Sequence, residues 1–191
     1  MRPADPPVPD HARAASRPDG TGSGAGTVGT DRGSHAATAL VVGLGSVDRG
    51  DDGVGPTVAD LVAAAVGGFD DVRVVVHEDP TALVDLMAGH SAVVLVDAAR
   101  SGAPPGTVTV HRLGPDSPAL AAGTDPGAAG THGLGLAGAL ELARVLDRLP
   151  PRVSVVGIEA AGFEHGADLS PAVAGAVPDA VAAVLTCLAE A

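Results

Sequence analysis

The sequence predicts a three-layer α/β/α sandwich around a mostly parallel, flavodoxin-like sheet, with one edge strand expected to run antiparallel. Three observations carry this expectation. Ala39–Leu44 and Ala92–Val96 are continuous apolar runs, as strands buried on both faces require. Such runs alternate along the chain with segments of helical periodicity, which is the signature of a parallel sheet covered on both sides. Thr107–Arg112 instead alternates Thr and Val, the pattern of a half-exposed edge strand.

The elements follow in order. Residues 1–36 are rich in Pro, Gly, Ser, Thr, Asp and Arg, and bury too little apolar surface to offset ordering entropy, so a disordered extension is expected there. The folded domain is expected over residues 37–191. After the first strand, Val54, Val58, Leu61, Val62, Ala65 and Val66 recur at helical spacing, with Pro56 in the first turn, where its missing N–H costs nothing. Val72–His77 is the second strand, Thr81–Gly89 a short helix and Ala92–Val96 the third strand. The Pro- and Gly-rich stretch Gly114–Thr131 is long for a loop inside a compact domain. Gly133–Leu149 reads as a helix with Glu141, Arg144 and Arg148 on its polar stripe, and Arg152–Ile158 as the last core strand. Ser170 and Pro171 are the N-cap and first residue of a final helix, interrupted or restarted at Pro178.

Composition excludes several functions. The net charge is −12 and all 11 basic residues are arginine, without the clustering that phosphate contacts need, so no nucleic-acid partner is expected. The one cysteine, Cys187, rules out an intramolecular disulfide and a multi-cysteine zinc site, and reads as core of the last helix. No apolar run approaches the roughly 18 residues of a membrane span, and the N-terminus lacks the apolar core of a secretory signal. A cytoplasmic location without membrane association is the expectation.

The segment LVVGLGSVDRGDDGVG, Leu40–Gly55, poses the functional question. Gly43-Leu-Gly45 between strand and helix suggests a dinucleotide fold, but the third glycine of G-x-G-x-x-G arrives two positions late, at Gly50. No acidic residue ends the second strand in an obvious ribose position unless Glu78 or Asp79 serves. Gly45 to Gly50 has phosphate-loop spacing, yet Asp51 and Asp52 stand where Lys and Ser/Thr belong, and two anions beside a phosphate reverse the electrostatics. One aspartate is expected to cap backbone N–H groups, leaving the other free to hold a cation.

Ligands of an open parallel sheet sit beyond the carboxyl ends of the strands, at the point where connections change sides. With strand order 2-1-3-4-5, that point lies between strands one and three. Asp51/Asp52 follows the first and Asp97 the third. An ionised carboxylate ending an apolar strand is costly unless it is satisfied, by a cation or by a hydrogen bond from a neighbouring turn. His132, between Gly130 and Gly133 at a helix start, is the histidine best placed to join them. Two carboxylates and an imidazole from three loops suit nickel, zinc, iron or manganese without choosing among them.

At these residues a family resemblance emerges. GLGSVDRGDDGVGPTV, VVLVDAARSGAPPGTV, THGLGLAGALEL and VVGIEAAGFEHGADLSPAV, in order from Leu40 to Leu188, resemble the hydrogenase maturation endopeptidases. These proteases remove a C-terminal peptide from the nickel-loaded precursor of a nickel–iron hydrogenase large subunit. The resemblance implies that Asp52, Asp97 and His132 are the catalytic and metal-binding residues, and that the partner is such a precursor. It also implies that the nickel is supplied by the substrate, so that the isolated protein holds no metal or another divalent ion. Ser46 departs from the Asn usual in the family after G-x-G. The absence of H-E-x-x-H and G-x-S-x-G fits a protease of neither the zincin nor the serine type. A second reading is a nickel-dependent assembly protein that docks the precursor without cutting it; retained metal-dependent binding without cleavage would mark it.

Overall fold

The computed structural model describes residues 39–67, 69–114 and 135–191. The expected extension, most of the Gly114–Thr131 loop and the start of the helix expected at Gly133 lie outside them. A five-stranded sheet contains β1 (Ala39–Leu44), β2 (Val72–His77), β3 (Ala92–Ala99), β4 (Val108–Leu113) and β5 (Arg152–Glu159), in the order β2-β1-β3-β5-β4. All pairings are parallel except β4 with β5, so the expected antiparallel edge strand is β4. The last two positions are reversed relative to the expected 2-1-3-4-5. β4 pairs outside β5, leaving β5, with its buried Val153, Val156 and Ile158, in the sheet interior and the half-polar β4 at its edge.

The strand period of two divides the core between the two faces. Val41, Val94, Val96, Val156 and Ile158 pack against helices α1 (Val54–Val66) and α4 (Pro171–Ala189). Leu40, Val42, Leu44, Val93, Leu95 and Val153 pack on the other side against α2 (Leu83–Leu86) and α3 (Leu136–Val145). This is the expected three-layer sandwich. The core is almost wholly aliphatic, as a chain with 1% aromatic residues demands.

Three differences from expectation have physical causes. β3 runs past Val96 to Ala99, because Asp97, Ala98 and Ala99 continue the ladder against Gly157, Ile158 and Glu159. Asp97 therefore lies inside the strand. α4 passes Pro178 without a break; Pro178 and Ala174, whose carbonyl loses its donor, both face solvent, where water replaces the missing bond. The same helix has 19 residues and a mean hydropathy of 1.8, enough in length and composition for a membrane span, although no such stretch was expected. Its Val173, Val177, Ala180, Val184 and Cys187 are buried against the sheet and α1, so one face of the helix packs on the domain.

α1 sits unusually close to β1. A Cβ on Gly55 would run into the carbonyl oxygen of Leu44 and lie 2.7 Å from that of Val96. The glycines of the opening motif thus serve helix–strand approach, and this seats the turn before α1 directly over the carboxyl ends of β1 and β3.

Candidate active site

The chain leaves β1 through Gly45, at φ +116°, and enters α1 through a 3-10 turn, Gly50–Gly53. Gly45 is required twice: the φ is left-handed, and a Cβ there would collide with the carbonyl oxygen of Asp52. That contact brings the Asp52 side chain over the strand end. The Ser46 backbone N–H donates to Asp52 Oδ2 at 2.9 Å. The bond uses the backbone of Ser46, so the Ser-for-Asn departure leaves it intact.

Asp51, its neighbour, is turned the other way and is 1% exposed. Ala161 N–H and Gly162 N–H donate to its Oδ2 at 2.7 and 3.2 Å, and Ser170 N–H to its Oδ1 at 2.6 Å. Burial works to raise its pKa, but these bonds outweigh it and hold the carboxyl below its ordinary 3.8. The two aspartates thus differ in the number of backbone donors they meet: three for Asp51 and the Ser46 N–H for Asp52. Asp51 binds the β5–α4 loop and the N-cap residue of α4 instead of its own helix; neither the 3-10 turn nor α1 has a side-chain cap.

Asp97 lies in the β3 segment that runs on beyond its pairing with β1, near enough to feel the charge of Asp52. Burial first, and the charge of Asp52 second, push its carboxyl up to about 7, with the Ala98 backbone N–H offsetting part of the shift. Among the described residues the Ala98 backbone N–H is its one donor. Asp52 and Asp97 are thus brought together at the point where β1 connects to one side and β3 to the other. Among the described residues no group of three or more His, Cys, Asp or Glu that could hold a metal is present. The third expected member, His132, lies outside the described residues.

Two further carboxylates are accounted for. Glu159, 4% exposed, accepts from Ser101 N–H and Oγ and from Gly102 N–H at 2.8–2.9 Å, which clamps the loop after β3. Burial opposes its charge, yet these bonds keep its pKa below 4.5. Asp79, the residue a nucleotide reading would need, instead accepts from the N–H and hydroxyl of Thr81. No signal in local sequence marks Asp51 or Glu159 as fasteners, because their partners are 57 to 119 residues away.

A family model for hydrogenase maturation proteases matches residues 78–187, more than half of the chain and inclusive of Asp97. The chain belongs to the hydrogenase maturation protease family. Asp52 precedes the matched span. The hydrogenase maturating endopeptidase HybD of Escherichia coli is similar at 24% identity and TM-score 0.62, over 80% of this chain and 93% of that one. A hydrogenase 2 maturation peptidase from a Thaumarchaeota archaeon is 29% identical, with TM-score 0.56, over 80% and 98% of the two chains. The maturation protease HybD of Thermococcus kodakarensis shares 24% identity at TM-score 0.59, over 78% and 97%. No curated protein matches the chain. Membership in this family gives the chain a protease's role in hydrogenase maturation.

Proposed function

We propose that the protein is an endopeptidase that removes the C-terminal peptide from the nickel-loaded precursor of a nickel–iron hydrogenase large subunit, acting in the cytoplasm. The observation that carries this reading is the juxtaposition of Asp52 and Asp97, two carboxylates whose mutual repulsion a cation would relieve. Their oxygen donors suit a divalent metal, and an imidazole from His132 would complete a mixed N/O set of the kind nickel accepts. The nickel is part of the substrate. Asp52, Asp97 and His132 engage it and so hold the scissile peptide at the crevice between β1 and β3. Water then adds to the scissile carbonyl, a site carboxylate takes its proton, the C–N bond breaks, and the departing amine is protonated.

Intact-mass analysis tests this. A nickel-loaded precursor should lose a C-terminal peptide on incubation with the protein, whereas nickel-free precursor, or Asp52→Ala protein, should leave the mass unchanged. Nickel-dependent binding without mass loss would favour the docking reading instead.

A further inference from the structure

Arg100 follows β3 directly, three residues after Asp97, and its guanidinium lies over the Phe163 ring at 4.5 Å from the centroid. Both partners stand on fastened backbone. Ser101 and Gly102, next to Arg100, are held by Glu159. Gly162, next to Phe163, donates to Asp51 Oδ2 and accepts from Asp51 N–H through its carbonyl. The stacked pair therefore bridges the loops that follow the neighbouring strands β3 and β5, beside Asp97, and uses one of only two phenylalanines in the chain.

The charge environment sets Arg100 apart. Arg112, Arg144 and Arg148 are each ion-paired, to Glu190, Glu141 and Asp85, and Arg152 donates to the Glu190 carbonyl. Among the described residues no carboxylate lies within ion-pair distance of Arg100, in a chain of net charge −12. Arg49 and Arg73 share that lack, but no ring holds either of them. A guanidinium whose face rests on an aromatic ring keeps its in-plane N–H donors directed outward, in the fork that matches a carboxylate. We infer that Arg100, presented by Phe163, is a specificity-determining residue that binds a carboxylate in the C-terminal segment of the precursor. Two sources supply that chemistry: an acidic side chain near the cut, or the terminal carboxylate of the peptide to be released. The inference rests on the protease reading above.

The test is steady-state cleavage of nickel-loaded precursor by wild-type, Arg100→Gln, Arg100→Lys and Phe163→Leu proteins, with unfolding midpoints measured alongside. Arg100→Gln should raise KM by about 10- to 100-fold, the value of a charge-assisted bidentate contact, with kcat and the midpoint unchanged. Arg100→Lys should fall between the two, and Phe163→Leu should raise KM by a smaller factor. Affinity of cleavage-inactive Asp97→Asn protein for the same precursor, with and without Arg100→Gln, should show the same loss in binding. Two precursor variants separate the sources: one with the acidic side chains of its C-terminal segment converted to amides, the other extended by neutral residues. Whichever variant makes Arg100→Gln harmless identifies the carboxylate. A KM that Arg100→Gln leaves unchanged, or raises equally for every precursor variant, overturns the inference while the protease reading stands. Failure of the wild-type protein to cleave overturns that reading, and this inference with it.

Discussion

Asp51 and Glu159 at the rims of the crevice are buried and Asp97 within it is partly so, yet their surroundings treat negative charge in opposite ways. The rim carboxylates collect backbone N–H groups on both oxygens, and those bonds outweigh desolvation, so both stay below their ordinary values. Among the described residues Asp97 has only the Ala98 N–H against burial and the charge of Asp52, and is pushed up to about 7. The lesson is that burial alone does not mark a functional carboxylate. A carboxylate saturated by backbone donors is a fastener; one left facing another negative charge is held ready for a cation or a proton.

This contrast can be broken most visibly through activity. Alanine at Asp52, Asp97 or His132 should lower precursor processing by about 10²–10⁴-fold, with circular dichroism showing the fold intact. Alanine at Asp51 should act through stability instead. It leaves three N–H groups without their acceptor, at a cost of about 3–5 kcal/mol in urea unfolding.

The pH dependence sharpens the contrast. For Asp97 the folded value, about 7, lies above the ordinary 3.8, so its contribution to stability is complete below about pH 4 and is lost as pH rises through 7. Asp97→Asn should therefore stabilise the nickel-free protein by about 2–4 kcal/mol at pH 8 and by little at pH 4. Asp51 and Glu159 run the other way: their folded values are lowered, so their contribution is present above 3.8 and 4.5 and disappears as pH falls below those values. The smallest effect is expected far from the site, where Glu190→Gln, breaking the exposed pair with Arg112, should cost less than about 0.5 kcal/mol in the same unfolding assay.

How much of this was legible in the sequence depends on the range of the interactions. β1 lies at the expected residues because an unbroken apolar run reports burial on both faces without knowledge of partners, and the edge strand β2 does so because of its run of valines. Asp97 was legible as a charge ending an apolar run, and Asp52 as a carboxylate in a turn where a phosphate loop would carry a lysine or a hydroxyl. The end of β3 was not, since Asp97 interrupts the apolar pattern that the ladder to β5 carries onward. Nor was the place of β4, because its own alternation shows that it is an edge but not which strand it joins. The fastening by Asp51 and Glu159 was hidden altogether, as each bonds a loop brought near only by the finished sheet. The stacking of Arg100 on Phe163 was hidden for the same reason, since the two residues lie far apart in sequence.

The central claim, that adjacent aspartates divide structure from chemistry, is tested most directly by comparing Asp51→Asn with Asp52→Asn in one experiment that records both unfolding midpoint and precursor processing. At Asp51 the amide NH₂ must face a backbone N–H donor on one side or the other, so the midpoint should fall steeply while the fraction that remains folded still cleaves. At Asp52 the amide oxygen can still accept from Ser46 N–H, so the midpoint should hold while processing is lost. A stable, inactive Asp51→Asn protein beside an unstable, active Asp52→Asn protein would contradict the account.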